Sequence, residues 1–191
     1  MFNLVIFGSP GAGKGTQSDK IIEKYHLQHL STGDMFRAHI AQNTKLGQEV
    51  VSIMNSGQLV PDDITIKMLE EEILKHKDAK GFILDGFPRT IPQAKALDAF
   101  FEEKGEKVNL VIQLDVSEDE VKHRINERAK TSGRADDAQD KLIKRIDEYF
   151  QKTIHVLPYY KDHNKLEVIN GIGEIDVIFE NISKVIDNHF K

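Results

Sequence analysis

Residues 2–16 read Phe2-Asn3-Leu4-Val5-Ile6-Phe7-Gly8-Ser9-Pro10-Gly11-Ala12-Gly13-Lys14-Gly15-Thr16, and this stretch decides the fold. Its first six residues form an apolar run of strand length that leads into a glycine-rich loop and then into a segment compatible with a helix. The glycines allow close backbone approach, so several N–H groups can converge on phosphate oxygens. Lys14 adds a positive charge, and the N-terminus of the next helix adds its dipole. The stretch predicts a polyphosphate-binding loop at the end of a strand.

The spacing from Gly8 to Gly13 and Lys14 fits the P-loop pattern, which has four residues between its outer glycines. One position departs from that pattern, because Gly15 stands where Ser or Thr is usual and Thr16 follows one place later. The structural alternative is a plain glycine turn between a strand and a helix. Four glycines, a lysine and a hydroxyl residue in this order favour phosphate binding over that alternative.

Length and composition bound the class of protein. The 191 residues suffice for one well-packed domain with small inserted lobes, and 39% hydrophobic with 30% charged residues is typical of a globular protein. A net charge of -5 argues against a general nucleic-acid-binding surface. Cysteine is absent, which excludes disulfides and thiolate zinc sites. Without a signal-peptide pattern or an apolar run of membrane-spanning length, we expect a cytoplasmic enzyme with no membrane partner.

Short apolar runs alternate with longer amphipathic segments, which predicts a parallel sheet flanked by crossover helices. The predicted strands are Phe2–Phe7, Gln28–Leu30, Gly81–Leu84, Val108–Leu114 and Leu166–Ile169. Helical periodicity predicts a long helix over 137–163 that Pro158 interrupts near its end. A last helix over 175–190 carries an apolar stripe, Ile175, Ile178, Phe179, Ile182, Val185 and Ile186, which we expect to pack in the core.

Two polar connections differ from ordinary crossovers. One covers about residues 31–60 and is followed by Pro61. The other covers about residues 129–137. In an α/β fold, ligands bind beyond the carboxyl ends of the strands, where such insertions lie. Both connections are therefore expected to close over a ligand.

Asp85 ends the predicted strand that begins at Gly81, and a carboxylate there can bind Mg²⁺ directly or through water beside the phosphate loop. A strand-end turn or a helix cap is the structural alternative, and Asp115 ends another strand in the same way. The segment after Asp85 adds information, because Arg89 follows a proline turn and Gln93 lies four residues further on. A guanidinium can clamp phosphate while a neighbouring amide reads the edge of a base.

Arginines recur near the two polar connections. Arg37 follows a capping-type helix start at Ser31 and Thr32; Arg124, Arg128, Arg134 and Arg145 follow later in the chain. Each alone is best interpreted as a solvated surface charge. Together they suit phosphoryl transfer, in which catalysis is mostly positioning and stabilisation of negative charge. The histidines show no metal-ligand spacing, and no nucleophile–base pair stands out.

These motifs occur in one order along almost the whole chain, and together they resemble the adenylate kinase family. The segments that carry the resemblance are Gly8–Thr16, Ser31–Arg37, Gly57–Pro61, Asp85–Ala94, Arg124 to Arg128, Ser132–Asp137 and Arg145. The resemblance implies a P-loop α/β fold with a five-stranded parallel sheet flanked by helices, an inserted lobe that binds the nucleoside monophosphate, and a lid. It also implies a cis peptide bond before Pro88. Only five residues separate Arg128 from Arg134, so the lid resembles the short form without zinc.

The resemblance implies reversible, Mg²⁺-dependent transfer of the ATP γ-phosphoryl group to AMP, giving two ADP. The implied ATP-binding residues are Gly11, Ala12, Gly13, Lys14, Gly15, Thr16, Arg124 (against the adenine), Arg128 and Gly173. The implied AMP-binding residues are Thr32, Arg37, Gln58, Leu59, Val60, Gly86, Phe87, Pro88, Arg89, Gln93, Arg134 and Arg145. The implied catalytic residues are Lys14, Arg89, Arg128, Arg134 and Arg145, and Asp85 with Thr16 would serve Mg²⁺.

The expected partners are the small nucleotides ATP, AMP and ADP, with no nucleic acid, and we expect a monomer. A UMP/CMP kinase is the alternative within the family, although Thr32 and Gln93 match the AMP-selective pattern. A P-loop switch or a mechanical ATPase is the alternative outside it. Neither needs a second phosphate acceptor, which the arginines matched to the acceptor site disfavour.

Overall fold

A computed structural model of the chain describes the backbone of residues 1–131 and 139–189 and the side chains of residues 1–127 and 141–189. Its centre is one parallel sheet of five strands in the order β2-β3-β1-β4-β5. The strands are β1 (Phe2–Phe7), β2 (Gln28–Ser31), β3 (Gly81–Asp85), β4 (Val108–Asp115) and β5 (Leu166–Asn170). The apolar run that precedes the glycine-rich loop is thus the central strand.

Helices connect the strands and cover both faces of the sheet. They are α1 (Lys14–Tyr25), α2 (Thr32–Ala41), α3 (Lys45–Ser56), α4 (Asp62–Lys75), α5 (Ile91–Glu102), α6 (Glu118–Thr131), α7 (Gln139–Gln151), α8 (Val156–Asp162) and α9 (Ile175–His189). A short 3-10 helix, Thr153–His155, joins α7 to α8. Across the described residues, none of these helices combines the length and apolar character of a membrane span.

The alternation of side chains along β1 creates two hydrophobic cores. Val5 and Phe7 belong to the cluster on one face of the sheet, with Leu84 and Tyr160. Leu4 and Ile6 belong to the cluster on the other face, which α1 and α9 complete. All six residues of β1 are buried, because the strand has a neighbour on each side and helices above and below.

A third, smaller cluster lies in the segment between β2 and β3. Phe36, Val50, Val60 and Met68 are its buried members, so the inserted helices α2 and α3 pack on α4 around apolar residues of their own. Gly47 allows the tight α2–α3 crossing, since a Cβ there would lie 2.2 Å from the carbonyl oxygen of His39.

All five predicted strands are present, and four of them extend one residue beyond the predicted end. The predicted helix over 137–163 was wrong as a single element, because the chain leaves α-helical geometry after Gln151 and resumes it at Val156. Pro158 lies in the first turn of α8, where its missing N–H is tolerated, so the break precedes the proline. The stripe on α9 is buried at Ile178, Ile182 and Ile186, whereas Ile175 is 50% exposed because it lies at the N-terminal end of the helix.

The carboxyl ends of β1, β2 and β3 meet at one edge of the sheet. Ile6 is in register with Asp85, and Ser31 is in register with the same residue from the other side. The glycine-rich loop, the start of α2 and the segment after β3 therefore converge at this edge. The peptide bond between Phe87 and Pro88 in that segment is cis, as the resemblance implied.

Candidate functional site

The glycine-rich loop folds back over its own backbone between β1 and α1. The N–H of Ala12 donates to the carbonyl oxygen of Ser9 at 3.0 Å, and φ is +86° at Gly11 and +94° at Gly13. Gly13 is the N-cap of α1 and supplies no side-chain cap, so the first amides of the helix are available to an anion. Lys14 Nζ donates to the carbonyl oxygens of Gly8 at 2.8 Å and Ser9 at 3.2 Å, which fixes its charge at the mouth of the loop.

Gly15 differs from the other glycines of the loop. It lies in the first turn of α1 without a positive φ angle, and a Cβ there would meet nothing within 4 Å. The protein atoms therefore leave room for a side chain at Gly15, whereas a Cβ at Gly8 would lie 2.9 Å from the Ala12 side chain. Gly15 therefore borders open space beside the N-terminus of α1, and this space is part of the cleft described next.

A cleft of about 790 Å³ opens beside the loop, a volume within the usual range for small-molecule sites. Its wall combines residues from six separate segments of the chain. The predicted site residues that line it are Gly11, Ala12, Gly13, Lys14, Gly15, Thr16, Arg37, Asp85, Gly86, Arg89, Arg124, Arg145 and Gly173. Residues predicted for the donor nucleotide thus line the same cleft as arginines predicted for the acceptor.

A second pocket adjoins the cleft, under helices α2 and α3. The predicted residues that line it are Thr32, Arg37, Gln58, Leu59, Val60, Gly86, Arg89, Gln93 and Arg145. Five residues, Gly33, Arg37, Gly86, Arg89 and Arg145, line both spaces. The boundary between the two spaces is therefore rich in cationic side chains.

Gly86 and Arg89 form the rigid part of this boundary. The carbonyl oxygen of Gly86 accepts hydrogen bonds from Arg89 Nε at 2.7 Å and from the Thr32 hydroxyl at 2.9 Å. Gly86 has φ of +78°, and a Cβ there would lie 2.8 Å from the Arg89 guanidinium. A glycine at this position therefore lets the guanidinium lie against the backbone with a fixed orientation.

Arg37 is oriented from its own helix. Its Nη2 donates to Asp34 Oδ1 at 2.5 Å, and Ser31 caps the helix by accepting from the N–H of Asp34 at 3.3 Å. The predicted helix start at Ser31 and Thr32 is thus confirmed. Asp34 itself was missed in the sequence, where an acidic residue in a first helical turn is an ordinary stabilising feature.

Arg124 is held by three acceptors. Its guanidinium donates to Glu120 Oε1 at 2.7 Å, to the carbonyl oxygen of Ala12 at 3.3 Å and to that of Gly171 at 2.9 Å. These contacts connect α6 to the glycine-rich loop and to the turn after β5. The side chain is a structural link as well as a wall of the cleft. Three of its five N–H groups are engaged in these contacts, and the planar face of the guanidinium can stack on a base.

Phe87 and Pro88 complete the predicted acceptor segment. They line a small third pocket with Gly57, Leu59 and Tyr149. Phe87 is only 2% exposed and packs in a core cluster, so its side chain chiefly supports the segment.

Burial raises the pKa of Tyr149 to about 12, so this hydroxyl is protonated at neutral pH.

Two predicted catalytic arginines fall where the structure gives no side chain. Arg128 lies on α6, but its side chain is outside the described part of the chain. Arg134 lies entirely outside the described residues, as does most of the predicted lid over residues 129–137. Their predicted roles stay predictions.

The donor set of the cleft bears on magnesium. Among the side chains of residues 1–127 and 141–189, no three or more acidic or histidine groups are placed together as a metal site built by protein alone. Asp85 lies at the end of β3 and lines the cleft together with Thr16. Mg²⁺ usually binds through one or two carboxylates together with substrate phosphates and water, so these residues fit a magnesium ion that the nucleotide shares.

A phosphate-binding loop after the central strand of a parallel sheet, facing a cationic boundary and a second pocket, defines a P-loop nucleotide-binding enzyme of the phosphotransferase class. Comparison with known proteins narrows this class. The family model described as "Adenylate kinase" matches residues 6–165. The chain belongs to the adenylate kinase family.

Similar proteins match over nearly their full lengths. The adenylate kinase of Flavobacterium psychrophilum is 49% identical over 189 residues, covering 98% of this chain and 100% of that protein. That of Flavobacterium johnsoniae is 48% identical with the same coverage. That of Bacteroides fragilis is 46% identical over 187 residues, covering 98% of this chain and 99% of the relative.

Proposed function

We propose that this chain transfers the γ-phosphoryl group of ATP reversibly to AMP, giving two ADP. The bond between the γ-phosphorus and the β–γ bridging oxygen breaks, and a bond from that phosphorus to an AMP phosphate oxygen forms. The observation that carries the proposal is the arginine-lined boundary shared by the P-loop cleft and the second pocket. The names of the full-length relatives support the same reaction.

The P-loop cleft is proposed as the donor site. The amides of residues 11–16 and the N-terminus of α1 would bind the ATP phosphates, with Lys14 beside the transferred charge. The plane of Arg124 and the backbone at Gly173 would border the adenine. Arg128 would add a further positive charge to this half of the site.

The second pocket is proposed as the acceptor site. Thr32, Gln58–Val60 and Gln93 would surround the AMP base, while Arg37 and Arg89 would bind its phosphate. Arg145 lines both spaces and, together with Arg134, would contact the triphosphate of ATP and the phosphate of AMP. Since phosphoryl transfer spreads negative charge over the moving group, fixed guanidinium groups at the boundary would stabilise the transition state.

Magnesium would be bound at Asp85, with Thr16 nearby, and its chemistry is to neutralise phosphate charge. The protein's own part is to keep the Asp85 carboxylate at the end of a buried strand, in register with Ile6 near the end of β1. Loss of transfer in excess chelator, with recovery on adding Mg²⁺, tests this assignment.

The inserted segment of about residues 31–60 is proposed as a monophosphate-binding lobe, and about residues 129–137 as a short lid. The separate apolar cluster around Phe36 and Val50 supports the lobe. We also propose that the protein is cytoplasmic. We propose in addition that it is a monomer, because residues of a single chain build both pockets. Light scattering after gel filtration tests the oligomeric state.

An acceptor panel tests the reaction. The purified chain is incubated with Mg²⁺, ATP and each of AMP, UMP, CMP, GMP or no acceptor, and ADP formation is followed with a coupled assay. Rapid transfer to AMP alone is expected. Preference for UMP or CMP would identify a pyrimidine kinase. Saturable ATP binding with no phosphoryl transfer to any of the acceptors would identify a switch protein. Either result would overturn the proposal.

A further inference from the structure

The amide of Gln93 lies between two partners whose hydrogen-bonding roles cannot be exchanged. Its Oε1 accepts from the backbone N–H of Arg89 at 2.7 Å, and its Nε2 donates to Asp62 Oδ1 at 2.7 Å. A backbone N–H can only donate, and a carboxylate can only accept. Together these partners define which end of the amide is oxygen, and the side chain is only 2% exposed.

Asp62 is itself fixed. Its second oxygen, Oδ2, accepts from the Thr90 hydroxyl at 2.8 Å, and Thr90 is the N-cap of α5, the helix that carries Gln93. Asp62 is the first residue of α4, and Pro61 alone separates it from the segment Gln58–Val60 that borders the second pocket. The carboxylate therefore connects two walls of that pocket through the amide that lines it.

A primary amide with both ends engaged once retains one lone pair and one N–H. Adenine presents a donor, its 6-amino group, beside acceptor nitrogens, so it can pair with such an amide. A 6-oxopurine has an acceptor oxygen in place of the amino group and carries a proton on the neighbouring ring nitrogen. A freely rotating amide adapts to either base by turning over, whereas an amide held at both ends does not.

We propose that Asp62 is a positioning residue that holds the Gln93 amide in one orientation and so makes the acceptor site select 6-aminopurine over 6-oxopurine nucleotides. This inference rests on the proposed function, in which AMP is the acceptor. Turning the amide over would replace both hydrogen bonds by donor–donor and acceptor–acceptor contacts. Removing Asp62 eliminates the unfavourable contact that the turned amide would make with its carboxylate. The preference for 6-aminopurine over 6-oxopurine nucleotides therefore decreases, although Gln93 is still present.

The test compares kcat/KM for AMP with kcat/KM for IMP, which differs from AMP at the 6-position and the adjoining ring nitrogen. In Asp62→Ala, the AMP/IMP ratio is expected to fall about ten-fold or more, the order of one lost hydrogen bond to a charged group. The KM for AMP rises, and the KM for ATP stays at its wild-type value. Asp62→Asn retains the ratio, because an asparagine oxygen still accepts from Gln93 while its NH₂ donates to Thr90.

Two controls separate orientation from general stability. Asp63→Ala removes the neighbouring exposed carboxylate from the same helical turn, so it reproduces the loss of charge at the helix N-terminus without touching Gln93. In a Gln93→Leu background, Asp62→Ala is expected to change the ratio by less than about two-fold, because the amide it acts through is gone. Asp62→Ser, too short to reach Gln93, provides a second variant if Asp62→Ala does not fold.

The inference is overturned if Asp62→Ala and Asp62→Ser keep the wild-type AMP/IMP ratio, if Asp63→Ala lowers it equally, or if Asp62→Ala lowers it equally without Gln93. These outcomes leave the proposed function intact, since the wild-type enzyme would still phosphorylate AMP. A wild-type enzyme that does not phosphorylate AMP would instead contradict the proposed function itself.

Discussion

Replacing Arg89 by alanine tests the proposed catalytic boundary most directly. The side chain lines the P-loop cleft and both smaller pockets, and its Nε is anchored to the carbonyl oxygen of Gly86 at 2.7 Å. A guanidinium positioned in advance can bind the transferred charge with little reorganisation in the transition state. We expect Arg89→Ala to reduce kcat/KM for AMP severely while the protein remains folded.

The structure separates the catalytic cost from the folding cost. Removing one preorganised donor from a developing charge costs about 2.7–4 kcal/mol, which corresponds to a 10²–10³-fold loss in rate. The folding cost is smaller, because the carbonyl oxygen of Gly86 keeps its 2.9 Å hydrogen bond from Thr32 and is not left unsatisfied. A hydrogen bond from a charged donor contributes about 1.5–3 kcal/mol when it is buried. Arg89 is only half-buried, so the unfolding free energy should change by about 1.5 kcal/mol or less.

The assay measures initial rates over a matrix of ATP and AMP concentrations, alongside urea unfolding of each variant. Lys95→Ala is the matched control, since Lys95 is an exposed cation on α5, and its rates should stay within about two-fold of wild type. Arg89→Lys should fall between the two, because it retains the charge and loses the planar fork. A folded Arg89→Ala protein with kcat/KM within ten-fold of wild type would refute the reasoning.

Three further predictions concern the glycine-rich loop, the core, and an exposed carboxylate on α9 that accepts a hydrogen bond from α1. Lys14→Met removes the charge that bonds to Gly8 and Ser9, and kcat/KM should fall about 10²-fold or more in the same assay; a near-normal rate would contradict its role. Tyr160→Phe should keep or raise the unfolding free energy, because the buried hydroxyl has no hydrogen-bond partner among the described residues; a loss above about 1 kcal/mol in urea unfolding would show a partner. Hydrogen bonding from Tyr25 at 2.6 Å lowers the pKa of Asp187, so Asp187→Ala should destabilise at pH 7 by less than about 1 kcal/mol. That difference should vanish as the pH falls below the ordinary carboxyl pKa of about 3.9 and through the lowered value, and a difference that persists at lower pH would exclude this cause.

The sheet was predictable because its strands are short apolar runs that end at glycine or polar residues. β1 is followed by glycine, and β3 ends at Asp85, so each boundary is visible locally. The break between α7 and α8 was misplaced, since helical periodicity continues across residues 152–155 while the chain turns there to pack Val156 and Tyr160 into the core. Local periodicity contains no information about that turn.

The site was predictable to the extent that its chemistry is concentrated in contiguous motifs. The glycine-rich loop and the segment from Asp85 to Gln93 carry charges, glycines and a proline in an order that few other sites require. Asp34 and Asp62 were missed, because an acidic residue at the start of a helix has a sufficient local explanation in the helix dipole. The i,i+3 spacing of Asp34 and Arg37 is a local signal for an ion pair, whereas only the tertiary structure shows that Asp62 binds Gln93.

The sequence alone determined the family, the order of the strands along the chain and the residue types that bind phosphate, because each depends on local pattern and spacing. Tertiary structure decided which segments face one another. It brought the ends of β1, β2 and β3 to one edge, gave Arg124 two backbone acceptors from distant segments, and fixed the Gln93 amide between Arg89 and Asp62. Hydrogen bonds between residues 28 or more positions apart depend on how helices pack, and no local motif specifies that packing.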